Sequence, residues 1–367
     1  MTTFHIHEDF SYLVENVQLK QKTVKVLPDN KKHRTVLQPL SNYQQNAKRP
    51  KTGTGEENTA AIPKKTKNDD LEKLPNPLSD IVSFKPVFKK NASNSMWLIA
   101  TSSIEKEYED EIWTYLTFLE KKLHKIKPSY MTKQIYLNWQ MRSVLIDWLI
   151  NVAEEYQLSN YTVHLSINYL DRFLSNISVI KEKFQLVGAT AMMIAGKMEE
   201  VYPPDTREWA FLTGDAFTVR QIIKMEQLML KILKFDMHAP TILDFIKHLC
   251  AKHKQDNTTM YLAMYLSELV LLEGEDYLQQ FPSKLASASL VLARHTLFKP
   301  EPWTKNMEES AGYSLKQLSP VVQKQQKTFR SSPFKEQQTI QKKYASDKYQ
   351  RVALLKPRIL LLEEDEE

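Results

Sequence analysis

The chain has 367 residues, 42% hydrophobic and 26% charged, enough to bury one large core or two moderate ones. Only 7 glycines and 1 cysteine occur, so phosphate-cradling GxxxxGK[ST] and GxGxxG loops are absent, and Cys250 can neither close an internal disulfide nor anchor a cysteine-based zinc module. The net charge of +6 is uneven: residues 20–68 hold 12 Lys or Arg against 3 Asp or Glu, a local +9 that leaves −3 for the rest, so a nucleic-acid-tracking face is not expected on the folded part.

Residues 1–100 are rich in Lys, Asn, Thr, Gln and Pro and poor in hydrophobic periodicity, which predicts a disordered basic tail. The N-terminus MTTFHIHEDF lacks a basic-then-apolar signal pattern and no run of 18 apolar residues exists, so a soluble, intracellular protein is expected. The nine histidines show no HExxH spacing, and no metal or cofactor is expected. Helical periodicity begins near Ser103 and places Tyr108, Ile112, Tyr115 and Leu119 on one face, within an N-terminal helix and linker over 101–135.

Five helices follow at about 136–157, 161–175, 181–199, 207–213 and 218–234, the third stopped by Pro203-Pro204. After Ala239-Pro240 a second set is predicted at about 241–253, 258–273, 282–297, 303–310 and 314–345. The fold class is therefore all-α, and two sets of five helices over 136–238 and 239–357 suggest duplication into two tandem five-helix bundles, with an acidic tail from 358 to 367. Sliding the chain by 98 positions aligns Gly188, Ala189, Thr190, Ala191 and Ala195 with Ala286, Ser287, Ala288, Ser289 and Ala293. Small residues let neighbours approach from several sides, so each such helix is expected to be the buried axle of its bundle.

Arg142, Asp147, Asp171 and Arg172 lie within apolar helical runs. Buried charges persist when paired and hydrogen-bonded, so Arg142 and Asp171 are expected to meet across two helices and set their crossing. Lys197, at the end of the third helix, and Glu226, on the fifth, read from spacing alone as a surface lysine and a solvated glutamate. Met141, Val144, Leu145 and Trp148 form a stripe that reads as core. No nucleophile, base and orienting group can be assembled from spacing, which disfavours an enzyme.

The segments MRSVL and DWL, YLDRFLS, QLVGATAMMIAGKMEEVYPP, MEQLMLKILKFD and AP together resemble the cyclin box of A-type cyclins, regulatory subunits of cyclin-dependent kinases, over about Tyr108 to Pro357. The resemblance implies that Lys197 and Glu226 grip the kinase, the lysine through backbone carbonyls at its regulatory helix. It implies that Ile194, Met198, Leu230 and Phe235 receive an isoleucine from that helix, flanked by Tyr108, Ile112 and Tyr115. Met198 stands where the family more often has Phe. It further implies that Met141, Val144, Leu145, Trp148 and Asn151, with Phe184 and Gln185, line a groove for Arg-x-Leu substrates and inhibitors. Asn151 replaces a glutamate there, for which Asp147, Glu154 and Glu155 could compensate.

The segment from Arg34 through Leu37 and Leu40 to Asn42 looks like a destruction box, RxxLxxLxN, through which the anaphase-promoting ubiquitin ligase takes mitotic cyclins. Other RxxL copies fall within or beside the helical region. Lys48-Arg49-Pro50-Lys51 and Pro63-Lys64-Lys65-Thr66-Lys67 resemble nuclear import signals. The resulting expectation is a nuclear, non-catalytic kinase activator acting in S phase and at the G2/M transition, with neither nucleic acid nor membrane as partner. A B-type cyclin and a cyclin-fold transcription factor are the alternatives.

Overall fold

Among the described residues of the computed structural model, 108–123, 126–127 and 129–360, every regular element is helical. The tail with Arg34, Leu37, Leu40 and Asn42, and the acidic run Glu363 to Glu367, lie outside them. Helix α1 (Glu109–Leu123) opens with three acids and closes with Lys121 and Lys122, the order its dipole favours. One face docks on the second bundle: the Trp113 ring meets Phe245 edge-on at 5.3 Å, and buried Glu120 accepts hydrogen bonds from the Ser283 amide (3.0 Å) and hydroxyl (2.6 Å). Tyr108, Ile112, Tyr115 and Phe118 remain exposed.

The first bundle comprises α2 (Trp139–Glu155), α3 (Asn160–Leu174), α4 (Lys181–Glu199), α5 (Thr206–Leu212) and α6 (Val219–Leu233). Helix α2 starts three residues later than expected because the Asn138 side chain accepts from the Met141 amide and caps it. Reciprocal capping boxes, Asp205 with Glu208 and Thr218 with Gln221, start α5 and α6. Every residue of α4 from Phe184 to Gly196 is buried, and α4 touches the other four helices. A Cβ at Gly188 would lie 2.8 Å from Leu145 Cδ1, so glycine is what lets α2 approach the axle.

The second bundle comprises α7 (Ile242–Lys252), α8 (Asn257–Leu272), the single turn α9 (Gly274–Tyr277), α10 (Pro282–Thr296), α11 (Lys305–Ala311) and α12 (Leu315–Ser331). Its axle is α10, buried against α7, α8 and α12, and it carries the small residues aligned with those of α4. The Ser287 and Ser289 hydroxyls donate to backbone oxygens four residues back at 2.9 Å, so these serines cost the core no unpaired polar group.

The predicted long helix over 314–345 is instead three elements. Helix α12 ends at Ser331, a 3-10 turn spans Ser332–Phe334, and α13 (Thr339–Tyr344) packs on α2 of the first bundle. Pro333 has no amide hydrogen and cannot continue the ladder. Asp147 of α2 accepts from the Thr339 amide (3.0 Å) and hydroxyl (2.9 Å), which starts α13. Buried Lys343 then bridges Glu268 of α8 at 2.7 Å and Glu154 of α2 at 3.5 Å.

His164 of α3 is fully buried near Lys343 and Lys247, and desolvation first, then those two cations, lower its pKa to about 3. The folded state therefore binds fewer protons than the unfolded chain between pH 6.5 and 3, so stability falls as pH falls through that window, by up to about 1.4 kcal/mol per pH unit. Chemical denaturation of wild type and His164→Gln across this range checks it: the wild-type slope is expected to exceed the variant's by close to one proton, and equal slopes would contradict the assignment.

Candidate functional site

The charges of YLDRF are all engaged. Arg142 Nη2 lies 2.7 Å from Asp171 Oδ2 and Arg142 Nε lies 2.8 Å from Oδ1, a two-point contact between α2 and α3, while Tyr130 donates to the same carboxylate at 2.7 Å. Arg142 Nη1 also donates to the Leu271 carbonyl at the end of α8, at 2.9 Å. Burial pushes the guanidinium's pKa down; Asp171 and Tyr130 outweigh it and hold the cation above its ordinary pKa. Gly274 of α9 completes the site, because a Cβ there would sit 2.5 Å from Arg142 Nη1. One side chain thus joins two helices of the first bundle to a helix end of the second. Tyr169 and Arg172 of α3 donate to the Met237 and Asp236 carbonyls, each at 2.7 Å, and fix the connection between bundles.

This framework presents a charged pair to solvent. Lys197, closing α4, and Glu226 of α6 meet at 2.5 Å, the lysine 44% and the glutamate 16% exposed at their side chains. Met198 is 38% exposed, and Leu230 is half-buried on the turn after Glu226. Ile194 is buried, so it lies beneath this surface and forms its floor. Two successive left-handed residues, Lys234 (φ 56°) and Phe235 (φ 55°), end α6 and leave the Phe235 ring 70% exposed. Exposed Val201, Tyr202, Phe211 and Ile223 extend the apolar surface of α4, α5 and α6 and their connections; Ile223 could have been found three residues before Glu226, as Phe118 could three after Tyr115. Glu200 of the same KMEE run points the other way, accepting from the Ser159 amide at 2.7 Å and from the Thr162 hydroxyl.

The stripe on α2 divides by depth. Leu145 and Phe184 are fully buried, Trp148 and Gln185 nearly so, while Met141, Val144 and Asn151 are partly exposed. Trp148 Nε1 and Gln185 Nε2 are buried donors with no hydrogen-bond partner, the kind of group that an incoming carbonyl satisfies. Asp147 and Glu154 cannot stand in for a glutamate at Asn151, since Thr339 and Lys343 already hold them.

The charge reading of the folded part needs correction. Residues 240–358 carry 18 Lys or Arg against 11 Asp or Glu, and the exposed face of α12 carries Lys316, Lys324, Lys327 and Arg330, a helix without one acid. The negative remainder comes from the two ends of the chain and from the first bundle, whose residues 136–238 carry 10 Lys or Arg against 12 Asp or Glu. Among the described residues no helix is long and apolar enough to cross a membrane, and no three His, Cys, Asp or Glu gather as a metal site.

Two tandem helical bundles, each wound on a small-residue axle and tied through Arg142, define a cyclin-fold protein. The descriptions "Cyclin, N-terminal domain" and "Cyclin, C-terminal domain" match residues 111–238 and 240–358. The chain belongs to the cyclin family. It is similar to A-type members: 43% identical over 68% of its length to G2/mitotic-specific cyclin-A of Patella vulgata, 45% over 68% to G2/mitotic-specific cyclin-A of Drosophila melanogaster, and 41% over 68% to Cyclin-A2 of Homo sapiens. These matches span 58%, 50% and 58% of those relatives. A viral cyclin from herpesvirus saimiri shares the fold, with a TM-score of 0.54 and 23% identity over 59% of this chain and 96% of the viral one.

Proposed function

We propose that this protein is a regulatory subunit that binds a cyclin-dependent serine/threonine kinase and activates it allosterically, without a catalytic residue of its own. The observation that carries this is the exposed Lys197–Glu226 pair set among exposed apolar side chains on a rigid axle. The pair presents both signs of charge to a partner helix end, and Met198, Leu230 and Phe235 supply apolar contact. A surface that fits only the inward position of a kinase's regulatory helix draws the kinase population to it; a shift from 1:99 to 99:1 needs about 5.5 kcal/mol of differential affinity. An interface of ordinary size, about 1,600 Å², accommodates that. Methionine at 198 adapts to irregular gaps, so binding survives the missing ring. The test is co-purification of the full chain with a panel of cyclin-dependent kinases and assay on a histone-type substrate: activation by orders of magnitude supports the reading, and no activation of any kinase overturns it.

Substrate recruitment is assigned to α2. Met141, Val144 and Asn151 form its accessible rim, and Trp148 and Gln185 offer the two unpaired donors. In a fluorescence titration, an Arg-x-Leu peptide is expected to bind wild type at least tenfold more tightly than Trp148→Ala; equal affinities would remove the groove. Asn151 withholds a charge-assisted bond, so preference for a basic residue in the peptide is weak.

The tail reading places nuclear import at the basic clusters and timed destruction by the anaphase-promoting ligase at Arg34, Leu37, Leu40 and Asn42, with activity in S phase and at G2/M. A second reading, contact with a polyanion such as DNA, is favoured by the cations of α12, of which Lys324 pairs with Asp276 and Lys327 and Arg330 are exposed. A salt-dependent DNA shift lost in Lys327→Glu with Arg330→Glu would support it.

A further inference from the structure

Where α3 of the first bundle meets α7, α8, α9 and α10 of the second, the fold leaves a partly open cleft with about 60 Å³ of space for the centres of water-sized spheres. On that measure one water needs about 10–15 Å³, so the cleft holds several waters or one small ring. Its wall is mainly apolar, with Ile242, Val270, Leu278 and Leu285 among the lining side chains. The charged pair at its edge is spent: Arg142 is committed to Asp171 and to the Leu271 carbonyl. His164 also lines the cleft, and it is different. Both of its ring nitrogens are buried, and neither has a hydrogen-bond partner. Buried polar atoms are nearly always paired, because an unpaired one forfeits its bond to water.

We propose that this cleft is a binding site for a small, neutral, mainly apolar molecule carrying one hydroxyl or N–H group, which His164 anchors and which bridges the two bundles. A charged ligand is disfavoured, since the charged residues that line the cleft, Arg142 and Asp171, are committed to each other. A ring with one polar substituent gives His164 its missing bond and presents its apolar faces to the isoleucine, valine and leucine side chains. The ligand would touch α3 on one side and α8 and α10 on the other, so binding stabilises the packing of one bundle on the other.

The test uses the full chain without a kinase, with phenol as the probe and toluene as its match lacking the hydroxyl. The His164 ring resonances, assigned against His164→Gln, are expected to shift saturably with phenol, and phenol is expected to raise the unfolding midpoint. Toluene is expected to bind at least fivefold more weakly, a preference that vanishes in His164→Phe. No saturable shift up to the solubility of phenol, equal affinity for the two probes, or a soaked crystal holding only water in the cleft would each overturn the proposal. Should His164→Phe fail to fold, the wild-type comparison of the two probes decides alone.

Discussion

Lys197→Ala combined with Glu226→Ala is expected to abolish kinase pulldown and to lower activation of the partner kinase at least 100-fold while leaving the unfolding midpoint within about 3 °C. The two outcomes separate because the pair is a surface feature of the isolated chain. With the lysine 44% exposed, its contribution to folding is that of a solvent-screened ion pair, typically 0–1 kcal/mol. In a complex the same two groups would be desolvated and hydrogen-bonded to a partner, where truncating one side of such a contact costs about 2–5 kcal/mol. Single substitutions are expected to be milder, since each leaves one anchoring charge. Phe235→Ala provides an independent check, because its ring is 70% exposed and its loss removes apolar contact without touching either charge. Intact pulldown by the double variant would place the kinase surface elsewhere on the molecule.

Arg142→Ala is expected to have the largest effect on stability, about 3–5 kcal/mol, which for a folded region of this size lowers the midpoint by about 10 °C. The substitution strands the Asp171 carboxylate in the core with the Tyr130 hydroxyl still bonded to it, and releases the Leu271 carbonyl that ends α8. Asp171→Ala should cost a similar amount from the other side, and Gly274→Ala should do so by forcing the guanidinium aside, since the new Cβ would lie 2.5 Å from Nη1. Arg142→Met combined with Asp171→Leu is expected to recover part of the loss, because replacing both partners leaves no unpaired charge behind. Differential scanning calorimetry distinguishes these cases, and an unchanged midpoint for Arg142→Ala would show that the pair does not hold the bundles.

The two roles of charge explain what each level of description reveals. Periodicity along the chain was enough to specify an all-α protein, because that signal is local; the small-residue runs suggested an axle in each of two bundles, and the resemblance to cyclins carried the duplication. Arg142 and Asp171 were legible as partners for a similar reason: charges inside apolar helical stretches must be paired, and few candidates exist. Lys197 and Glu226 can be proposed as a kinase contact only by resemblance, since an exposed lysine and glutamate look alike on every helical surface.

Tertiary structure alone decided the rest. That α13 breaks from α12 and caps itself on Asp147, 192 residues away, follows from a contact no window of sequence contains. That Leu145 and Phe184 form a floor, while Met141 and Asn151 form a rim, depends on how deeply α2 sinks against α4, which Gly188 permits. The unpaired imidazole of His164 exists only because two bundles close over it. Local patterns set which helices form, because hydrogen bonding and amphipathicity act over a few residues. Which atoms are left exposed or unpaired is set when distant helices compete for the same volume.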